Sequence, residues 1–142
     1  MGDDEHVPVI LYVEDEERIR ETMIPALEKA GFELLVAHDG TEALDILATD
    51  KGIIDGLLTD VKLNDGPTGW NVARRARRRT PGMPVMYASS ADENEWLVDG
   101  VPRSSLIRKP FRPSQITDAL RSLLSLSKQR IRSNFSDRKH RI

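Results

Sequence analysis

Residues 7–17 read Val7-Pro8-Val9-Ile10-Leu11-Tyr12-Val13-Glu14-Asp15-Glu16-Glu17, an apolar run rich in β-branched residues that stops on four consecutive acids. A run of this kind hardly faces water on either side, so it predicts a central strand buried on both faces, as in a parallel sheet. Beyond the acids, Ile19, Met23, Leu27 and Ala30 recur at helical spacing and the segment ends at Gly31, a natural helix terminus. Strand is followed by helix, and the alternation continues. Leu34 to Ala37, Ile53 to Thr59, Pro84 to Ala88 and Leu106 to Arg108 read as further strands. Thr41 to Leu47, Trp70 to Arg79, a short piece at Asn94 to Val98, and Ile116 to Leu126 read as helices. The pattern is (βα)5: an α/β sandwich with a parallel sheet between two helical layers, because right-handed crossovers place helices on both faces. Pro25 interrupts the first helical segment and predicts a bend there. Ser90 to Ser105 is polar, carries Gly100 and Pro102, and predicts the most mobile side of the domain.

The 142 residues, 39% hydrophobic and 31% charged, are enough for one domain with one core and exclude disorder of the whole chain. No cysteine is present, which excludes disulfides, thiolate metal sites and a cysteine nucleophile. The acidic start and the short apolar run after it carry neither a secretory signal nor a membrane span, so a cytoplasmic location is the expectation. The formal net charge of −2 conceals an asymmetry: residues 1–72 hold 17 Asp+Glu against 5 Lys+Arg, and residues 73–142 hold 6 against 16. Such a division suggests an acidic surface able to hold a cation and a basic surface able to meet an anion or an acidic partner. It is equally the product of differently solvated helix faces.

Ligand sites of open parallel α/β sheets lie outside the carboxyl ends of the strands. The residues there are Glu14-Asp15 after the first run, Asp60 after the third, Ser89-Ser90 after the fourth and Lys109-Pro110 after the fifth. Three carboxylates converging at one edge raise one another's pKa unless a cation lies among them. Mg²⁺ answers that need, since it takes oxygen ligands from one or two carboxylates together with waters and phosphate oxygens. With a hydroxyl and a lysine nearby, the set has the composition of a phosphoryl-transfer site with one Asp as nucleophile.

These motifs, in this order and at this approximate spacing over residues 7–126, resemble the receiver domain of two-component response regulators. The resemblance implies a flavodoxin-like fold with a five-stranded parallel sheet in order 2-1-3-4-5, for which the chemotaxis receiver is a standing example. It also implies phosphotransfer from a histidine kinase or a histidine phosphotransfer protein. On that match Asp60 is the phosphoacceptor, Asp15 a direct Mg²⁺ (or Mn²⁺) ligand, Glu14 its water-bridged neighbour, and Lys62 the donor of a backbone carbonyl. Ser89 is the switch hydroxyl, Lys109 the lysine that pairs with the phosphoryl group, and Pro110 follows in a cis peptide. Residues 1–6 are then an N-terminal extension and 127–142 a basic C-terminal tail that continues the last helix and frays. With no length left for an effector domain, the expectation is a single-domain regulator that signals to a partner protein, not an enzyme turning over external substrates.

Four departures from the commonest family pattern stand out. Glu14 replaces the more frequent Asp, Leu106 sits where many receivers carry an aromatic switch residue, the interval from Ser89 to Lys109 is short, and the loop Asn64-Asp65-Gly66-Pro67-Thr68-Gly69 is long enough to cover the site. The short interval resembles stand-alone or hybrid-kinase receivers with an altered fourth helix. For Ser89 the competing candidates are Ser90 and Asp92, and for Lys62 a plain solvated side chain is an equal reading. Trp96 is either an exposed partner contact or a filler of the core beside a shortened helix. Arg74, Arg75, Arg77, Arg78 and Arg79 read as a solvated helix face in preference to a nucleic-acid stripe, since no aromatic residue is interleaved. His6, His38 and His140 lack metal spacing. Other functions remain open: a phosphorylation-independent interaction module, a DNA-binding regulator using the tail, and a haloacid-dehalogenase-like enzyme. The last needs a carboxylate two residues after the nucleophile, where Lys62 stands. Nucleic acid and membrane are not the favoured partners, and a homodimer is left open.

Overall fold

The structure, a computed structural model, describes residues 6–49 and 52–139, and from 129 onward the backbone alone. Five strands, β1 (Val9–Val13), β2 (Glu33–Ala37), β3 (Gly56–Thr59), β4 (Val85–Ser89) and β5 (Ser105–Arg108), alternate with five helices. The helices are α1 (Glu17–Lys29), α2 (Gly40–Thr49), α3 (Gly69–Arg79), α4 (Glu93–Asp99) and α5 (Pro113–Lys139). All strand pairs are parallel and the order is β2-β1-β3-β4-β5, the flavodoxin-like topology expected from the sequence.

That order dictates the layers. The connections through α2, α3 and α4 step across the sheet in one direction, and the one through α1 steps back, so right-handed crossovers put α1 on the opposite face. The core divides accordingly. Leu11, Val13, Leu57, Val85 and Tyr87 face a cluster with α2 and α3 residues. Ile10, Tyr12, Leu58, Met86 and Ala88 face a second cluster with Met23 and Leu27 of α1 and Ile116 and Leu120 of α5. β1 therefore buries alternate residues on opposite faces, which is why its sequence is continuously apolar. Each such Leu or Ile contributes about 1.5–3 kcal/mol on full burial.

The chain stays helical through Pro25, which lies exposed on α1. α1 ends where Gly31, at φ +99°, lets its own N–H reach the Glu28 carbonyl and that of Phe32 reach Leu27. This is the Schellman arrangement, closed by Phe32 packing in the same cluster as Leu27. The third strand begins at Gly56, later than the apolar run suggests. Asp55 explains it: its carboxylate takes the Val9 N–H at 2.8 Å and the His6 ring at 2.8 Å, and Ile53 is left exposed.

The last helix departs most from expectation. It begins at Pro113, a residue suited to a first helical position, and remains helical to Lys139, so the basic segment from 127 continues α5 instead of fraying within the described residues. Residues 1–5 and 140–142 of the expected extension and tail, His140 among them, lie outside the described residues. The fourth helix is short, as its sequence suggests, capped by a reciprocal Asp92–Glu95 box and burying no residue fully. Trp96 resolves toward the core: it packs against the first cluster, and its Nε1 donates to Ser104 Oγ at 2.9 Å. No helix among the described residues is long and apolar enough to cross a membrane.

Candidate functional site

The carboxyl ends of β1 and β3 deliver three acids to one point. Continuation of the backbone ladder fixes two of them, with Glu14 N–H bonded to the Ala37 carbonyl at 3.1 Å and Asp60 N–H to Val13 at 3.0 Å. Glu14 and Asp60 are buried, at 2% and 5% exposure, and Asp15 is half-buried beside them. One carboxylate oxygen from each lies within 4.8 Å of the others. The aspartates and the glutamate singled out from the sequence thus form one acidic cluster, in which a small cation would meet three anionic oxygens.

Lys109, at the end of β5, enters the cluster from the far side of the sheet. Its Nζ donates to Asp60 Oδ2 at 2.7 Å and stands 3.8 Å from Glu14 Oε1. The other Asp60 oxygen, Oδ1, accepts the Val61 N–H at 2.6 Å. Burial pushes the Glu14 carboxyl up from 4.5 to about 8, the negative charge of Asp60 adds to this, and Lys109 only partly opposes it. Burial pulls the Lys109 ammonium down, but the Asp60 hydrogen bond and the charges of Asp60 and Glu14 hold it above its ordinary value. One ammonium for three carboxylates leaves an anionic surplus in a poorly hydrated place, the electrostatic condition for a hard divalent cation.

Ser89 ends β4, fully buried, with its backbone carbonyl bonded to the Lys109 N–H at 3.0 Å. Its Oγ accepts the Ala91 N–H at 3.2 Å, so the hydroxyl is held at the strand end and not in a bond to Asp60. Ser90 is exposed, and Asp92 is occupied in capping α4. The Lys109–Pro110 peptide bond is cis. The Lys62 side chain is exposed.

Several residues that sequence reasoning passed over also hold the site. Arg20 Nη1 donates to the Glu14 carbonyl at 2.7 Å, tying α1 to the acidic turn. The Asn64 N–H donates to Asp15 Oδ2 at 3.1 Å, so the long loop is tied to the acidic cluster at this point. The return of that loop requires Gly69, since a Cβ there would collide with the Asp60 carbonyl. Beneath the cluster the buried Tyr12 hydroxyl has no hydrogen-bond partner among the described residues, and burial raises its pKa. A basic residue one turn into the helix after Glu14-Asp15 was the only sequence signal for Arg20. For Asn64, which acts through its backbone, there was none.

The fold and site define a receiver: an α/β sandwich whose strand ends present clustered acids, a hydroxyl and a lysine. The response regulator receiver domain model matches residues 10–121, and the chain belongs to that family. A response regulator MprA of Mycobacterium avium is 30% identical over 135 residues, covering 90% of this chain and 58% of the relative. The chain thus spans little more than half the length of the curated relatives it matches. Among solved structures, a response regulator receiver protein from Sinorhizobium medicae superposes with a TM-score of 0.81 at 34% identity, covering 86% of this chain and 98% of that one. The receiver domain of the hybrid histidine kinase CckA gives 0.67 at 31%, covering 82% and 98%. The chain is therefore a receiver domain of two-component signalling, a signalling module with an acidic cluster able to hold a metal ion.

Proposed function

We propose that Asp60 accepts a phosphoryl group from a histidine kinase or a histidine phosphotransfer protein. The observation that carries this is the placement of the Lys109 ammonium on Asp60 within a buried, anion-rich cluster. In the transfer a carboxylate oxygen of Asp60 bonds to phosphorus as the phosphorus–nitrogen bond of the donor phosphohistidine breaks, and the electron pair leaves on the imidazole. Asp15, Glu14, Asp60 and the Lys62 carbonyl would hold Mg²⁺ or Mn²⁺, with Glu14 acting through a water. The ion, when bound, offsets the carboxylates and the incoming phosphoryl oxygens.

Lys109 holds its ammonium where a phosphoryl oxygen on Asp60 would sit. Ser89 lies at the adjacent strand end, and rotation of its side chain would bring its hydroxyl to a second oxygen. The added charge and acceptors bias the surface running from β4 to α5, and the output is contact with a partner protein. Arg20 and Asn64 keep the acidic turn and the loop in register throughout.

Incubation with acetyl phosphate and Mg²⁺, followed by peptide mass mapping, tests this reading. A single acid-labile adduct of one phosphoryl group on Asp60 is expected, lost in Asp60→Asn and absent when chelator removes the cation. An unmodified parent, or an Asp60→Asn variant that labels as well, would sink it.

A further inference from the structure

Two surfaces play no part in the site. The first is the outer stripe of α3, where Asn71, Arg74, Arg75 and Arg78 follow helical spacing and line a groove of about 480 Å³ against Leu44, Asp45 and Ala48 of α2. All three arginines are exposed, and none makes an ion pair among the described residues. Arg77 and Arg79, by contrast, spend their guanidiniums on backbone carbonyls. The second is α4, which carries Glu93, Glu95 and Asp99 after its cap Asp92, and leaves Leu97 68% and Val98 82% exposed.

We propose that two copies of this chain associate reciprocally, α4 of each seated in the α2–α3 groove of the other. The surfaces complement each other in charge, cation stripe against carboxylates, and in apolarity, Leu44 and Ala48 offering a floor for Leu97 and Val98. They also match in length, since seven helical residues span about 10 Å, enough to cover the stripe from Arg74 to Arg78. Opposite charge favours seating α4 on the arginine stripe over stacking α4 on α4.

Topology lets that contact close. α2, α3 and α4 lie in one layer in that order, so a two-fold axis parallel to the helices sets α4 of each copy over the groove of the other at once. A nucleic-acid backbone fits this groove less well: no aromatic residue lines it, and the whole chain carries net charge −2. The contact uses no residue of the acidic cluster, so Asp60 chemistry is untouched by variants within it.

Sedimentation equilibrium of the whole chain, from low micromolar to millimolar, reads the association. A monomer–dimer equilibrium is expected at low ionic strength, weakening by roughly tenfold or more in high salt. Arg74→Glu/Arg75→Glu/Arg78→Glu and, separately, Glu93→Lys/Asp99→Lys should each be monomeric. An equimolar mixture of the two reversed variants should dimerise, because each then offers the charge the other lacks. Unchanged melting curves and Asp60 labelling serve as folding controls. A parent that stays monomeric at millimolar concentration and low salt overturns the proposal, as does a dimer that survives either reversal or a mixture that does not recover it. Saturable binding of duplex DNA through the same arginines by a monomeric parent overturns it too.

Discussion

Glu14 is the residue at which the site is under most electrostatic tension. In the cation-free protein its carboxyl is pushed from 4.5 to about 8 by burial and by Asp60, so between those values the folded chain keeps a proton that the unfolded chain has lost. Stability must therefore fall as pH rises through that window, by on the order of a few kcal/mol, and the fall ends above about pH 8. Urea denaturation of the cation-free protein at pH 5 and pH 8.5 is expected to show this loss, and Glu14→Gln to abolish most of it. A parent whose stability rises over the same range contradicts the assignment. Lys109→Met should act in the opposite sense to Glu14→Gln. Removing the ammonium that Asp60 and Glu14 share costs on the order of 2 kcal/mol near neutral pH. The meeting of Glu14, Asp60 and Lys109 at one sheet edge was legible because each stands at the carboxyl end of a predicted strand. Arg20 was not, since its partner is a backbone carbonyl, and spacing in a sequence does not mark which carbonyls are left within reach.

At the level of elements, α3 shows how far a periodic pattern can be read. Its helical spacing correctly separates Val72, Ala73 and Ala76, which are buried, from a face of five arginines. Yet the arginines are not equivalent. Arg77 bonds the carbonyls of Met83, Pro102 and Arg103, joining the turn after α3 to the connection between α4 and β5, whereas Arg74 and Arg75 lie exposed. Arg77→Ala is expected to lower stability by about 2–3 kcal/mol, and Arg74→Ala by less than about 0.5, measured by chemical denaturation. Equal effects would show that the carbonyl bonds contribute nothing. The start of the same helix offers a second test. Gly69→Ala places a methyl against the Asp60 carbonyl, so it should both destabilise the fold and displace Asp60, lowering the rate of the labelling proposed for that residue as well as the denaturation midpoint. The boundaries missed in the sequence have local causes: Asp55 occupies the Val9 N–H and delays β3, and Pro113 starts α5 early. Period and apolar runs identify an element, but competing side-chain bonds and first-turn geometry set where it ends.

Across the whole molecule, the uneven distribution of charge along the chain resolves into geometry. The acid-rich first half contributes Glu14, Asp15 and Asp60 to one sheet edge, and the base-rich second half returns Lys109 to the same edge, leaving an anionic surplus of two formal charges when all four groups are ionised. A divalent cation would cancel that surplus, and it has no comparable site in the unfolded chain, so binding must feed directly into folding stability. Above the dissociation constant each tenfold rise in free Mg²⁺ should add about 1.4 kcal/mol, which for a domain of this size raises the melting midpoint by roughly 3–5 °C. The same titration with Asp15→Asn separates this site from diffuse screening. General screening by salt would act on parent and variant alike, whereas site binding should be largely lost in the variant while NaCl at matched ionic strength leaves the parent almost unmoved. A variant that keeps the full Mg²⁺ shift would place the cation elsewhere. The pH dependence must also respond: with Mg²⁺ saturating, ionised Glu14 faces a cation in place of surplus anions, and the loss of stability toward pH 8 is expected to shrink or reverse.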